Sequence, residues 1–448
     1  YKKKSSIYFA SEIKQLLPFV EKKSINNEVF YKYFKQTLID CNEETFFKDI
    51  HKVKPKTNLI IDLRSGSIKE ETYWKHERIE MDSQDIFSQF RKLFIDSVKI
   101  RLRSDVGIGA LLSGGLDSSA ISVIADNLSS NKLQTFSIIS NDKKISEEKY
   151  INILSSENNI SNQKLSFTNE DVLSNLDKVL FHQDEPFGGF STIAQYTIFE
   201  LIKKNTDITV ILSGQGGDEV LMGYLKYYFF YLKQLKNNKQ YIKMTQELIG
   251  SFFARTVLWQ FRLDLAKRYI PSYMETPLSY ININGELEKT WECSNMRERQ
   301  IEDIDKYSVP ILARYEDRNS TAHSLESRLP FLDHRLVNFL LSIDSELKIK
   351  YGWNKYILRK SINELPHRIR WRRDKKGFDV PEDKWLRADL KEEILDTFKN
   401  STLDKLGIID QRKFLDYYNR FLNNSKTISG NDISKVFIAE KWAKLNFD

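Results

Sequence analysis

Two glycine-rich strings carry the residue types from which chemistry could be built. The first is Leu111-Leu112-Ser113-Gly114-Gly115-Leu116-Asp117-Ser118-Ser119. An apolar strand ends, a glycine pair turns the chain, and a helix begins. That order aims free backbone N–H groups and a helix N-terminus at one point, which suits an anion. Gly114 and Gly115 permit positive φ and close backbone approach. Ser118 and Ser119 add hydroxyls and can cap the helix. Asp117 would repel a bare phosphate, so its carboxylate implies a divalent cation between it and the phosphates. The second string, Ser213-Gly214-Gln215-Gly216-Gly217-Asp218-Glu219, follows the apolar run Ile208 to Leu212 and precedes Gly223-Tyr224. Two such turns at the carboxyl edge of one parallel sheet would bracket a crevice. Asp117 and Asp218 could then share one Mg²⁺ on a triphosphate. A glycine pair alone more often marks an ordinary strand–turn–helix, and Asp218 or Glu219 alone is as readily a helix N-terminal acid. The repetition of the pattern tips the balance. No G-x-x-x-x-G-K-[ST] string occurs, and Gly107-Ile108-Gly109 has Leu112 where a dinucleotide fingerprint needs its third glycine.

Further candidates are weaker. Arg370, Arg372, Arg373, Lys375 and Lys376 form a cationic cluster, although a single lysine such as Lys375 is usually solvated surface. Asp184 and Glu185 are the nearest spare acids, equally suited to solvent. Arg328, between Glu326 and an apolar run, suits a structural ion pair as well as a substrate contact. His323 and His334 lack a third ligand in a fitting pattern, so no metal is placed there.

The elements that must position these residues alternate. Strands are expected at 106–112, 133–139, 164–167 and 208–212, and helices at 118–128, 146–158 and 192–204. Apolar residues from Ile86 to Val98 at three- and four-residue spacing give a helix from about residue 84. This βαβα order argues for a doubly wound parallel sheet covered on both faces, an α/β fold. Ser6 to Ala10 and Leu59 to Leu63 look like strands, the latter followed by a turn at Ser65-Gly66-Ser67. Residues 220–448 look mostly helical, with amphipathic stretches at Phe229 to Leu248 and Val337 to Leu341.

A chain of 448 residues suggests two or three domains. With 41% hydrophobic and 29% charged residues it is ordinary for a folded protein and unlike a disordered one. The net charge, 69 − 62 = +7, is spread along the chain and suits small anions as well as nucleic acid. No apolar run is long enough to predict a membrane span. Cys41 and Cys293 are too few for a disulfide framework or a cysteine zinc site, and a reducing cytoplasm is the default expectation. Tyr1 in place of an initiator Met suggests a portion of a longer chain.

The motifs, in order, resemble the synthetase domain of the glutamine-dependent asparagine synthetase family, built on the PP-loop ATP-pyrophosphatase fold. The matching strings are Ser113 to Ser119, His182 to Phe187, Ser213 to Glu219, Glu326 to His334 and Lys375-Lys376-Gly377-Phe378. Tyr8 to Lys14 resembles the tail of that family's glutaminase domain, without the nucleophilic N-terminal cysteine. The resemblance implies a glutaminase remnant over 1–77 and an ATP-dependent synthetase domain over 78–448, with a five-stranded sheet and a helical C-terminal half. It implies adenylation of a carboxylate by ATP, loss of pyrophosphate, and displacement of AMP by ammonia drawn from glutamine. Pyrophosphate would lie in the Ser113–Ser119 loop, with Mg²⁺ on Asp117 and Asp218. Adenine would lie against Leu111 and Ile138, with Ser213 and Gly214 near the nucleotide and Lys375 on the phosphates. Gln215 departs from the pattern, because asparagine-forming members carry an acid there. An amide can orient substrate but supplies neither a base nor a charge. The carboxylate acceptor is therefore open between aspartate, the first choice, and another acid such as a uronic-acid sugar. A rival reading keeps the adenylation but replaces ammonia by an internal amine that closes a ring, as in β-lactam- and lasso-peptide-forming relatives. A non-catalytic nucleotide-binding protein is the alternative outside the enzymes. The resemblance implies small-molecule partners and no nucleic acid, and leaves a homodimer open.

Overall fold

The two glycine turns are brought side by side by the order in which the strands are laid down. The computed structural model describes residues 1–3, 6–80, 85–140, 146–260, 278–374, 380–423 and 428–448. Two antiparallel hairpins come first, β1 (Lys2–Lys3) with β2 (Ser6–Ile7), and β3 (Thr57–Ile61) with β4 (Ile68–Thr72). Five parallel strands follow: β5 (Gly107–Leu111), β6 (Gln134–Ile139), β7 (Ser161–Ser166), β8 (Ile208–Leu212) and β9 (Glu326–Arg328). Their spatial order is β7-β6-β5-β8-β9. The chain builds outward from β5 to β7, then returns to lay β8 on the opposite side of β5. That reversal is the switch point where open α/β sheets hold ligands, outside the strands' carboxyl ends.

Helices cover both faces. Helices α1 (Asn27–Gln36) and α2 (Ile86–Arg101) precede the parallel strands in the chain. Then come α3 (Leu116–Leu128), α4 (Glu148–Glu157), α5 (Asn169–Gln183) and α6 (Ser191–Asn205). Alternation along β5 sends Ala110 to one face, where it packs with Phe90 and Phe94 of α2 and Ile121 and Ile124 of α3. Leu111 goes to the other face, with Phe136, Ile211 and the α6 residues Ile198, Phe199 and Ile202. Each fully buried Phe or Ile among them contributes about 1.5–3 kcal/mol, which makes the register, and hence the placing of both turns, hard to slip.

The remaining helices form the rest of the wall. They include α7 (Gly217–Val220), α8 (Leu225–Asn237), α9 (Tyr241–Ala254), α10 (Met296–Glu302) and α11 (Val309–Thr321). After them come α12 (His334–Ser342), α13 (Tyr356–Ser361) and, near the end of the chain, α14 (Gly430–Phe447). Phe30, Tyr33, Phe46 and Phe47 share one core with Trp442 of α14. Tyr33 Oη donates to the carbonyls of Phe187, at 2.9 Å, and Lys435, at 3.1 Å.

The four expected core strands are present with ends shifted by up to three residues, and three differences are physical. Helix α5 was not expected from the sequence. The fifth strand, β9, is three residues long and exists through its pairing with β8. The stretch Phe229 to Leu248 is two helices, broken where Lys239 takes a left-handed φ of 57°. Of the expected strand Ser6 to Ala10 only Ser6–Ile7 is a strand, paired with Lys2–Lys3. Among the described residues no helix is long and apolar enough to cross a membrane.

Candidate active site

β5 and β8 are paired neighbours, with Ala110 opposite Leu212, so both glycine turns leave the sheet from adjacent strand ends. In the first turn Gly114 adopts a φ of +77°, a left-handed conformation that favours glycine. Gly115 does not need that freedom: its φ is −69°, and it caps α3 without a side-chain hydrogen bond. The serines therefore do not cap the helix as expected. Ser118 Oγ instead braces the turn, accepting from Ser113 N at 3.2 Å and standing 3.0 Å from Ser113 Oγ. Ser119 is fully buried. In the second turn Gly217 has a positional reason to be glycine. A Cβ there would lie 2.7 Å from Asp117 Cγ, so the two turns touch only because that side chain is absent.

Asp117 and Asp218 converge on one cation, and that cation is Lys355. Its Nζ lies 2.6 Å from Asp218 Oδ1 and also meets Asp117 Oδ2. Burial works against the lysine's charge, but the two carboxylates outweigh it and raise its pKa. Lys355 precedes α13 in a left-handed conformation, φ 52°, and stands 238 residues from Asp117. Sequence analysis did not single it out. Nothing in the local pattern of Trp353-Asn354-Lys355 marks it, since only the fold brings it to the turns.

A cavity of about 980 Å³ opens over this point. Leu111, Ser113, Gly115, Asp117, Ser118, Ile138, Ser213, Gly214, Gln215 and Asp218 all line it. Gly114 and Ser119 are not among its lining residues, and Lys375 lies outside the described residues. Leu111, Phe136, Ile138 and Ile198 give an apolar wall, while α8 contributes Lys226, Phe229, Phe230 and Lys233. Arg359 and Arg372 add positive charge. Burial, with Arg372 beside it, pushes Arg359 down to about 9, so an anion in the cavity would relieve both. Arg372 pairs with Glu147 at 2.6 Å. Glu316 of α11, buried and on the cavity wall, is pushed up to about 7 by burial, against hydrogen bonds from Ser327, Ser213 and Gln195.

The other acids and Arg328 serve the scaffold. Asp184 accepts from the backbone N–H of Ile13, at 2.9 Å, and of Lys14, at 3.1 Å. Glu185 accepts from Phe46 N at 2.8 Å and pairs with Arg314. Both hold the N-terminal segment against the sheet domain. Glu219 turns into the core, accepting from Tyr224 Oη at 2.7 Å and from Ser308, and burial followed by Asp218 raises its pKa. Arg328 pairs with Glu326 at 2.7 Å and donates to the carbonyls of Arg101 and Arg103, tying β9 to the end of α2.

The family model described as asparagine synthase matches residues 89–444, a span that includes both turns, Lys355 and Glu316. The chain belongs to the asparagine synthase family. It is 28% identical over 421 residues to glutamine-hydrolyzing asparagine synthetase 1 of Bacillus subtilis (strain 168), covering 89% of this chain and 66% of that protein. It is 36% identical over 223 residues to a putative glutamine-hydrolyzing asparagine synthetase 2 of Methanocaldococcus jannaschii, covering 48% of this chain and 42% of that one. The chain thus spans less than two thirds of the length of these relatives. Among solved structures, the NH3-dependent NAD synthetase of Campylobacter jejuni aligns over 32% of this chain and 62% of its own, at 15% identity and a TM-score of 0.22.

The cation point also bears on a metal. Among the described residues no group of three or more His, Cys, Asp or Glu could hold one. Magnesium rarely asks for that, being held by one or two carboxylates together with substrate phosphates and water. Two carboxylates that already share one positive charge fit this requirement.

Proposed function

We propose that the protein is an ATP-dependent amide ligase of the asparagine synthetase type, with aspartate as first choice of acceptor and glutamine as the source of ammonia in the full-length enzyme. The observation that carries it is the meeting of two glycine turns on one cation at the switch point of a parallel sheet, inside one cavity. The substrate carboxylate oxygen attacks the α-phosphorus, the bond to the β-phosphate bridge breaks, and pyrophosphate leaves. Ammonia then forms the C–N bond while the acyl–oxygen bond breaks and AMP leaves. The nucleotide base would pack on Leu111, Phe136 and Ile138, and the phosphates would take the N-terminus of α3. Lys355 and Arg359 would supply fixed positive charge to the leaving pyrophosphate in a site partly closed to water, where such charge counts for more. Asp117 and Asp218 are the residues that would hold Mg²⁺, in exchange for Lys355. When bound, the ion would neutralise charge on the departing phosphates. Gln215 lines the same cavity and can orient an acceptor through its amide.

The test is incubation with ATP, Mg²⁺, ammonium and a panel of acids that includes aspartate and hexuronic acids, with AMP and pyrophosphate as readouts. Stoichiometric AMP with aspartate is expected. AMP with a sugar acid alone would overturn the acceptor, and no AMP with any acid would overturn the ligase.

A further inference from the structure

Amination leaves a positive charge on nitrogen until a proton is taken away, so a base is needed beside the acyl carbon. Gln215 cannot be that base. Five carboxylates line the cavity among the described residues: Asp117, Glu147, Asp218, Glu316 and Asp374. Four of them meet a cation. Lys355 holds Asp117 and Asp218, and Arg372 lies 2.6 Å from Glu147 and 3.6 Å from Asp374. Glu316 differs. Its Oε1 accepts from Ser327 Oγ at 2.8 Å, its Oε2 accepts from Gln195 Nε2, and the Ser213 side chain also bonds it. All three are neutral donors, drawn from β9, α6 and the second glycine turn.

Of the charged groups on the elements packed around Glu316, Asp317 of α11 and Lys203 and Lys204 of α6 are exposed to solvent, and those that follow are engaged elsewhere. On α11 itself Arg314 pairs with Asp40 and Glu185, and Arg318 with Glu12. Arg328 of β9 pairs with Glu326. Glu200 of α6 and His182 of α5 act on His323. In the short π-helix Asp303–Tyr307 that precedes α11, Asp303 is held by Arg299 and Lys226, Asp305 by Lys56 and His76, and Lys306 by Glu288. Among the described residues no cation pairs with Glu316. Burial makes such a carboxyl hold its proton more tightly than in water, so that it exchanges near neutrality, which suits proton transfer.

The geometry points to Glu316 as the proton acceptor of the amination step, a role that rests on the ligase reading above. The ammonia lone pair forms the C–N bond, the acyl C–O bond breaks with its electrons leaving on AMP, and one proton passes from nitrogen to a Glu316 carboxylate oxygen.

The experiment compares wild type with Glu316→Gln and Glu316→Asp, using ATP, Mg²⁺ and whichever acid of the panel yields AMP. Each protein is supplied either with ammonium chloride or with hydroxylamine, a stronger nucleophile that is mostly uncharged at neutral pH. The amide should fall about 100-fold in Glu316→Gln, while the hydroxamate falls less than about tenfold, because the second nucleophile depends less on a base. Glu316→Asp should recover part of the amide. Equal loss of both products in Glu316→Gln, or an undiminished amide, overturns the assignment while the ligase stands. Should Glu316→Gln not fold, the same ratio is read from Glu316→Asp, where an unchanged ratio of amide to hydroxamate overturns it. Absence of AMP in wild type with every acid removes the ligase and this role together.

Discussion

Glu316 should leave a measurable mark on stability as well as on catalysis. Its carboxyl titrates near 7 in the fold against an ordinary value of 4.5, with burial as the leading cause. Over that interval the folded chain holds a proton that the unfolded chain has released. Stability therefore falls as pH rises from 4.5 to about 7, and is level above that as far as this group is concerned. A shift of about 2.5 units at 1.36 kcal/mol each amounts to about 3 kcal/mol. Replacing Glu316 by Gln removes the proton but keeps the shape. Wild type and Glu316→Gln should then be compared by urea unfolding at several values between about pH 5 and about pH 8. The variant should gain about 2–3 kcal/mol relative to wild type across that range, whatever constant offset its amide introduces. Other titrating groups are common to both chains and cancel in the difference. A difference that stays flat to within about 0.5 kcal/mol would mean that Glu316 ionises freely in the fold, and the reasoning about its surroundings would fail.

Two further outcomes are expected at the turns. Lys355→Met leaves Asp117 and Asp218 facing each other without their shared cation and should cost about 3–5 kcal/mol. Millimolar Mg²⁺ should return part of that loss, measured as the thermal midpoint with and without the ion, and a variant indifferent to Mg²⁺ would argue against a metal on these acids. Gly217→Ala places a methyl group 2.7 Å from Asp117 Cγ. It should cut pyrophosphate release at least about tenfold, since a small misplacement of a positioning group is costly, and release at the wild-type rate would show that Asp117 need not be held there.

Much of the sheet was legible because parallel strands buried on both faces appear as short apolar runs, and β8 matched its expected limits. Helix α5 was legible too, though missed: Thr168 and Asp171 form a capping box ahead of Val172, Leu176, Val179 and Leu180. The third residue of that box is an acid one carbon shorter than the usual Glu. Strand β9 was not legible, since three residues with a charged one at each end carry no period. The glycine turns marked where the cavity opens, but not which side chains from the rest of the chain would meet them there. Lys355 reaches the cavity from the residue that precedes α13 and Glu316 from within α11, and no local spacing or motif marks either of them. Asp184 and Glu185 were open between solvent and function and turned out to hold the N-terminal segment, because sequence proximity to a motif does not say which way a carboxylate turns once Asp184 adopts a φ of 64°.

The aromatic knot joining Phe30, Tyr33 and Phe46 to Trp442 carries a consequence for biosynthesis. Tyr33 reaches the backbone of a residue 402 positions downstream. At about 5–20 residues per second the ribosome needs about 20–80 s to make that intervening length. For all of that time the early aromatics lack their closing helix and remain sticky. The nascent polypeptide thus offers a chaperone a long window, and a stall before α14 emerges would leave an aggregation-prone stub.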